Sequence, residues 1–354
     1  MATRQHPNFS NLSVKLFGFE SQVQKPTNQE LAMQGFKVFN PKTFEAYVEP
    51  TSNPIWSWQG KFLAKLLSKN HTFIHGPSGC GKNYLVEYVA HKLNIPFQEF
   101  SFKVGSNPND MLKRSTLKEV NGVTVSEDEE GNLAKALKGC EIIRNGEKQV
   151  IPAIILFSDV DRADPQAFDL LREALEKGAE RINDPMSGAM IPIAKGTVFV
   201  FTANRGLDES EEGMLTNPID ASMGSRIVGV MAKPLAKQDY KRIAQKYCPS
   251  LKNNEVNLLV DCLLAMKKVV DEECIDVLPL SARQLPAMID EYKFIKDHLQ
   301  GVENCVRYAC SGIIDKLRNE GFRIALEGAI DPYVKSDAIE FEEEDDDDIP
   351  PCDR

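Results

Sequence analysis

The sequence predicts an α/β protein: a parallel sheet with helices on both faces, then a small all-helical domain and a disordered acidic tail. Three observations carry that expectation. Short β-prone runs alternate with amphipathic helical stretches between Trp56 and Phe201, as they do when strands lie under helices on both sides. A glycine-rich stretch, Gly76 to Asn83, separates one such strand from the helix after it. Beyond Pro234 the strand-like runs stop and only helical periods remain.

Residues 1–50 mix polar and aromatic positions without a clear period and are read as an N-terminal extension packing on the domain that follows. Trp58, Phe62, Leu63, Leu66 and Leu67 fall on one helical face, and His71 to His75 is a short β-prone run ending at glycine. Tyr84, Leu85, Tyr88, Val89 and Leu93 again recur at helical spacing, and Ile95 to Val104 reads as the next strand. Ser115–Val120 and Val123–Ser126 flank Asn121-Gly122, a strong short-range signal for a hairpin. Ala153 to Phe157 has the unbroken apolar character of a strand buried on both faces, with an amphipathic helix expected over Pro165 to Lys177. Arg181 to Ile193, with Gly188 midway, suggests a second hairpin, and Gly196 to Phe201 another buried strand. Helices are expected over Gln238–Tyr247, Asn254–Val270, Ser281–His298 and Cys305–Glu320. The domain boundaries that follow are 1–50 for the extension, 51–232 for the α/β domain, 233–334 for the helical domain and 335–354 for the tail.

The composition excludes several classes. With 354 residues, 42% hydrophobic, 8% aromatic and 27% charged, the chain is neither collagen-like nor wholly disordered, and it has room for about two domains. No apolar run approaches the ~20 residues of a membrane span, and Met1 to Asn11 lacks the apolar centre of a secretion signal. A cytoplasmic protein without a membrane role is expected. Eight scattered cysteines without a CxxC fit reduced thiols better than a disulfide frame or zinc site. The net charge is -10, yet residues 337–354 hold ten acids against Arg354, so the rest of the chain is close to neutral. That leaves no overall basic signature of nucleic-acid binding.

Chemistry concentrates at Gly76-Pro77-Ser78-Gly79-Cys80-Gly81-Lys82-Asn83. Glycines let successive backbone N–H groups turn around phosphate oxygens, the following helix start adds positive potential, and a lysine reaches the terminal phosphates. A glycine-rich turn with a chance lysine would not need a strand before it and a helix after it, and both are expected here. Asn83 stands where a Ser or Thr hydroxyl usually binds Mg²⁺. An amide oxygen also ligates hard cations, with altered geometry.

The strand ending at Phe157 runs into Ser158-Asp159-Val160-Asp161. Aligned on the apolar run, Ser158 takes the place of the acid that holds the Mg²⁺ shell and Asp159 that of the acid that polarises water. Asp159 and Asp161 would also serve as caps for the helix that follows. Asn204, at the tip of the strand Phe201-Thr202-Ala203, suits a hydrogen bond to the attacking water or the γ-phosphate. Arg226 suits an arginine finger and Arg283, opening a helix of the second domain, a phosphate contact; either would be an ordinary solvated side chain if it stood alone.

This order of motifs resembles the AAA+ ATPases. Within them it is similar to the MoxR group and, more closely, to CobS, the AAA+ subunit of the aerobic cobalt chelatase, over roughly residues 55–300, including phage-encoded relatives of it. The resemblance implies ATP and Mg²⁺ as ligands. Lys82 would be the Walker A lysine, Asp159 the Walker B acid, Asn204 sensor 1, Arg226 the arginine finger and Arg283 sensor 2. Gly76 to Tyr84 would contact nucleotide, with Asn83, Ser158 and Asp159 around the metal. The family's acidic signature is usually Asp-Glu, and its arginine usually follows an Asp instead of Ser225. Also implied are a homo-oligomeric ring of six, pore-facing hairpins, and a remodelled partner, often one with a von Willebrand factor A domain. No cluster of His or Cys encodes cobalt chemistry.

Two functions from different classes are expected. One is a ring ATPase that remodels a protein or nucleoprotein. The other is a nucleotide-dependent assembly protein with weak turnover, because Asn83 and Ser158 alter both metal positions. A nucleic-acid motor or loader ranks below both. The tail reads as a solvated solubility element, or as a recruitment peptide in which Phe341 and Ile349-Pro350-Pro351 resemble the acidic tails of single-stranded-DNA-binding proteins.

Overall fold

The computed structural model describes residues 13–17, 19–22, 26–50, 53–101, 109–120, 123–163, 168, 171–184, 188–207, 221–275, 278–298 and 305–334. The acidic tail lies outside them. The chain divides into two compact units between Pro234 and Leu235.

The first unit opens with a hairpin of β1 (Ser13–Leu16) and β2 (Phe19–Gln22), then α1 (Asn28–Met33) and a 3-10 turn over Pro41–Phe44. Next come α2 (Trp58–Leu67), β3 (Thr72–His75), α3 (Lys82–Leu93) and β4 (Phe97–Ser101). They are followed by α4 (Asn109–Leu112), β5 (Lys113–Val120), β6 (Val123–Glu130), α5 (Asn132–Lys138), β7 (Cys140–Arg144) and β8 (Glu147–Ile151). After β9 (Ile154–Ser158) come α6 (Leu171–Ala174), β10 (Arg181–Asn183), β11 (Met190–Pro192), β12 (Val198–Ala203), α7 (Ala221–Gly224) and β13 (Val228–Met231).

Five of these strands form one parallel sheet in the order β13-β3-β12-β9-β4. The fold class expected from the sequence is the one observed: a parallel sheet with helices on both faces and a separate all-helical unit. Period-two alternation sorts the strand residues between its faces. Ile74, Ile154, Leu156, Val198 and Val200 pack with α2 and α3, whereas Phe73, Ile155, Phe157, Phe199 and Phe201 pack with α5 and α6 on the opposite face. Both faces are covered, so the strands read as unbroken apolar runs.

Residues 36–47 lie along α3, the helix that follows the glycine-rich loop. Tyr47 stacks on Tyr88 at 3.9 Å, Phe44 on His91 at 5.0 Å, and the Tyr84 hydroxyl donates to the Thr43 carbonyl at 2.6 Å. Burial pushes the Tyr84 and Tyr88 phenols up, with the Glu49 carboxylate adding to the effect on Tyr88. They stay neutral, and the helix bearing Lys82 is held by rings on its outer side.

Both expected hairpins form. β5 and β6 pair antiparallel with Val120 opposite Val123, and β10 and β11 pair around Gly188. Pattern reading did not anticipate β7–β8, although its turn is Asn145-Gly146, with both residues at positive φ as a tight hairpin turn requires. Strand β13 was also not anticipated; it is a short edge strand with glycine second. Strand β4 starts later than Ile95 because Pro96 cannot donate to a ladder. The expected strand end at Val104 lies outside the described residues, as do residues 165–167, 169 and 170 of the helix expected over Pro165–Lys177; of the described remainder only Leu171–Ala174 is α-helical, and the chain turns from Leu175 on.

His71, just before β3, accepts the Phe199 amide on Nδ1 at 3.2 Å and packs edge-on to that ring. Burial lowers its pKa to about 4. The folded state therefore prefers neutral His71, and this contribution is complete above the unfolded value of about 6.5 and is lost as pH falls towards 4. Urea unfolding across that window is expected to show a loss of about 3 kcal/mol, from ~1.4 kcal/mol per pKa unit. His71→Gln, which accepts the same bond without titrating, should flatten that part of the profile.

The second unit contains α8 (Lys237–Tyr247), α9 (Asn253–Glu272), α10 (Leu285–His298), α11 (Cys305–Ile314) and α12 (Glu320–Val334) around a core including Leu259, Leu263, Met266, Ile289 and Cys310. The helix expected over Cys305–Glu320 instead ends at Ile314. Asn319 accepts the Phe322 amide on its side chain at 3.2 Å and so caps a separate helix, α12. Among the described residues no helix is long and apolar enough to cross a membrane.

Candidate functional site

The glycine-rich loop runs from the end of β3 into α3. Gly76, Gly79 and Gly81 all have positive φ, a conformation that side chains other than glycine adopt at a cost. Gly76 is doubly constrained, because a Cβ there would collide with the Ala232 carbonyl oxygen. Within the loop Cys80 is buried, and Pro77 and Ser78 are exposed.

Lys82 is the first residue of α3 and is 7% exposed. Its ammonium donates to the carbonyls of Gly76 at 2.8 Å and Pro77 at 3.0 Å, and to Asn204 Oδ1 at 3.0 Å. The parallel register explains the last contact: Ala203 lies opposite His75, so Asn204 leaves β12 beside the point where Gly76 leaves β3. The Asn204 amide N–H donates to Asp161 Oδ2 at 3.1 Å. Asp161 Oδ1 is buried with no hydrogen-bond partner among the described residues. Sequence reasoning placed Asp161 beside the site without giving it a part in it; the signal was a second acid two residues after Asp159. Here it holds the backbone of Asn204, whose side chain meets Lys82.

Asp159 directly follows β9 at φ 54° and ψ 47°, a left-handed conformation that costs an L-residue about 1–3 kcal/mol and is typically retained at functional sites. Ser158, 1% exposed, shares its hydroxyl with Ser101 Oγ at 2.7 Å on the neighbouring strand and also approaches the Phe100 carbonyl at 3.4 Å. Asn83 Oδ1 accepts from the Thr202 hydroxyl at 2.6 Å. The oxygens of Asn83 and Ser158 are thus engaged by protein partners, and no group of three His, Cys, Asp or Glu among the described residues is arranged to hold a metal. Each oxygen keeps a further lone pair beyond its protein partner, so Asn83 and Ser158 fit a Mg²⁺ shell completed by nucleotide phosphates and water.

Tyr84, although next to the loop in sequence, turns its hydroxyl to Thr43. Arg226, just after α7, binds Glu176 Oε1 through Nε at 2.8 Å and Nη2 at 2.5 Å, and Ser222 Oγ through Nη1 at 2.7 Å. Arg283 lies in the second unit, exposed on the 3-10 turn Ala282–Gln284 that leads into α10.

Residues 71–226 match the family model of the AAA domain, dynein-related subfamily. The match covers a little under half of the chain. It starts just before β3 and ends at Arg226, enclosing the glycine-rich loop, Asp159 and Asn204. The chain is 36% identical over 52 residues to protein CbbQ of Allochromatium vinosum, a match covering 15% of this chain and 65% of that relative's length. Among solved structures it is similar to RuvB of Thermotoga maritima. A mutant form matches at 12% identity and a TM-score of 0.45, covering 75% of this chain and 73% of that one. The structure described as the Holliday junction branch migration motor matches at 13% and 0.45, covering 80% of each.

Proposed function

We propose that this chain is an ATP-binding subunit of a homo-oligomeric AAA+ ring, a hexamer resembling the MoxR and CobS group, that remodels a protein or nucleoprotein partner through ATP binding and hydrolysis. The observation that supports it most is the meeting of Lys82 and Asn204, 122 positions apart in the chain, at the mouth of the glycine-rich loop. A cation and an amide held together there suit the γ-phosphate and its attacking water.

In this reading the backbone N–H groups of Gly76 to Asn83 cradle the β-phosphate and Lys82 reaches the terminal phosphates, while Asp159 polarises water and Asn204 orients it. Arg226 reaches the neighbouring subunit's nucleotide, and Arg283 serves as sensor 2, a phosphate contact. The partner carries a von Willebrand factor A domain or is recruited by the acidic tail. The site of action is the cytoplasm.

A second reading, a nucleotide-gated assembly protein with weak turnover, is favoured by one observation: the oxygens of Asn83 and Ser158 are engaged by Thr202 and Ser101. The deciding experiment is steady-state ATP hydrolysis beside equilibrium nucleotide binding, at concentrations where the ring is assembled. Turnover supports the motor, and tight binding without turnover supports the assembly protein. No binding overturns both. Ser158→Asp returns an acid to the metal shell and is expected to raise Mg²⁺-dependent turnover about tenfold or more, which takes only ~1.4 kcal/mol of added transition-state stabilisation. An unchanged or lower rate would show that the native residues already suffice.

A further inference from the structure

The turn that follows β9 carries two acids, Asp159 and Asp161. Asp159 opens it in the left-handed region at φ 54°, and the 3-10 turn Val160–Arg162 follows. Val160 and Ala163 are buried in the same core as Phe157 and Phe201, and the Ala163 amide donates to the Val160 carbonyl at 3.1 Å. The turn is thus closed by its own backbone and anchored on both sides of Asp161.

Strand β12 is held unequally along its two edges. Towards β3 its pairing continues to Ala203, opposite His75, whereas towards β9 it ends at Phe201, opposite Phe157. Asn204 follows directly after the strand. Its backbone N–H donates to Asp161 Oδ2 at 3.1 Å, so a side-chain oxygen takes the place that a carbonyl of a longer β9 would fill. Asp161 Oδ1 is buried with no hydrogen-bond partner among the described residues. The Asn204 amide is therefore the group that orients the carboxylate, and a carboxylate acceptor makes the stronger kind of hydrogen bond.

That one bond joins two groups that come from different strands. Asp159 lies at the start of the anchored turn, and Asn204, held by its far end, passes its own Oδ1 to Lys82 at 3.0 Å. We infer that Asp161 is a positioning residue for ATP turnover: it fixes Asn204 relative to Asp159 and touches neither nucleotide nor water itself. The inference rests on the hydrolysis reading above, in which Asp159 polarises the attacking water and Asn204 orients it. What the role demands of Asp161 is an acceptor oxygen at the right reach, because the Asn204 backbone is a neutral donor.

The test is steady-state ATP hydrolysis beside equilibrium nucleotide binding, on the full chain at concentrations where the ring is assembled, for the wild type, Asp161→Asn, Asp161→Glu and Asp161→Ala. Asp161→Asn keeps an oxygen at the same reach without the charge. Asp161→Glu keeps the charge and moves it by one methylene, and Asp161→Ala removes the acceptor. Asp161→Asn is expected to hold kcat within about threefold of the wild type, under ~0.7 kcal/mol of barrier. Asp161→Glu and Asp161→Ala should each lose about ten- to a hundredfold in kcat, the scale set by misplacing a reacting group by about an ångström. Nucleotide Kd should stay within about threefold in all three. The Asn and Glu variants decide the matter even where Asp161→Ala fails to fold, since a residue serving stability alone would not separate kcat from Kd. Retention of kcat in Asp161→Glu would overturn the inference, as would its loss in Asp161→Asn or a fall in affinity equal to the fall in kcat; each leaves the hydrolysis reading standing. A wild type without turnover would overturn that reading and this inference together.

Discussion

Lys82→Ala is expected to lose nucleotide affinity by about ten- to a hundredfold, the ~1.5–3 kcal/mol of a hydrogen bond to a charged group, and to bring ATP turnover to background. The lysine is 7% exposed and lies between two loop carbonyls and Asn204. Its replacement removes the positive charge nearest the loop and leaves the two carbonyls and the Asn204 oxygen facing the incoming phosphates. Anionic oxygens would then meet three acceptors, an interaction that is repulsive at short range. Titration of a fluorescent ATP analogue and steady-state hydrolysis check the two halves of this expectation separately. Unfolding curves that overlay those of the wild type would assign the loss to the site. A variant that binds and turns over like the wild type would remove the loop from the chemistry altogether.

Arg226→Ala is expected to lower turnover about a thousandfold, the low end for loss of an arginine finger, with nucleotide affinity unchanged. Within one chain the guanidinium binds Glu176 and Ser222. The Glu176 side chain is 58% exposed, and an exposed pair of this kind contributes only about 0–1 kcal/mol. A γ-phosphate from a neighbouring subunit can therefore compete for the arginine. Mixing provides the sharper readout. Arg226→Ala subunits retain the loop and Lys82→Ala subunits retain the arginine, so a mixture should recover turnover that neither has alone. If the mixture stays inactive while both proteins assemble, Arg226 does not act between subunits.

The two expectations differ in where their groups are held. Lys82 is positioned by a loop whose conformation three glycines permit, and its contacts are complete within one subunit. Arg226 is paired with the exposed Glu176, and in the function proposed above it acts only in an assembly. That contrast predicts that dilution below ring assembly reduces turnover much more than binding.

Much of this protein is legible in its sequence. The apolar runs at His71–His75, Ala153–Phe157 and Gly196–Phe201 are buried on both faces, and burial on both faces leaves no room for polar alternation. The GxxxxGK spacing between a strand and a helix marked the candidate phosphate loop, because backbone N–H groups converge on an anion where glycines allow positive φ and a helix start follows. Asn121-Gly122 marked its hairpin for a related reason, since tight turns need residues that accept positive φ.

Tertiary structure decided what those residues are free to do. Asn83, Thr202 and Ser158 stand 44 or more positions apart in pairs, and only the parallel register of β9 and β12 under α3 sets them side by side, bonds Asn83 to Thr202 and Ser158 to Ser101, and gives Asp161 the Asn204 backbone to hold. A sequence states which donors and acceptors exist. Which of them remain available to a ligand depends on how protein groups satisfy one another once buried, and that is settled by contacts between strands that no local pattern encodes.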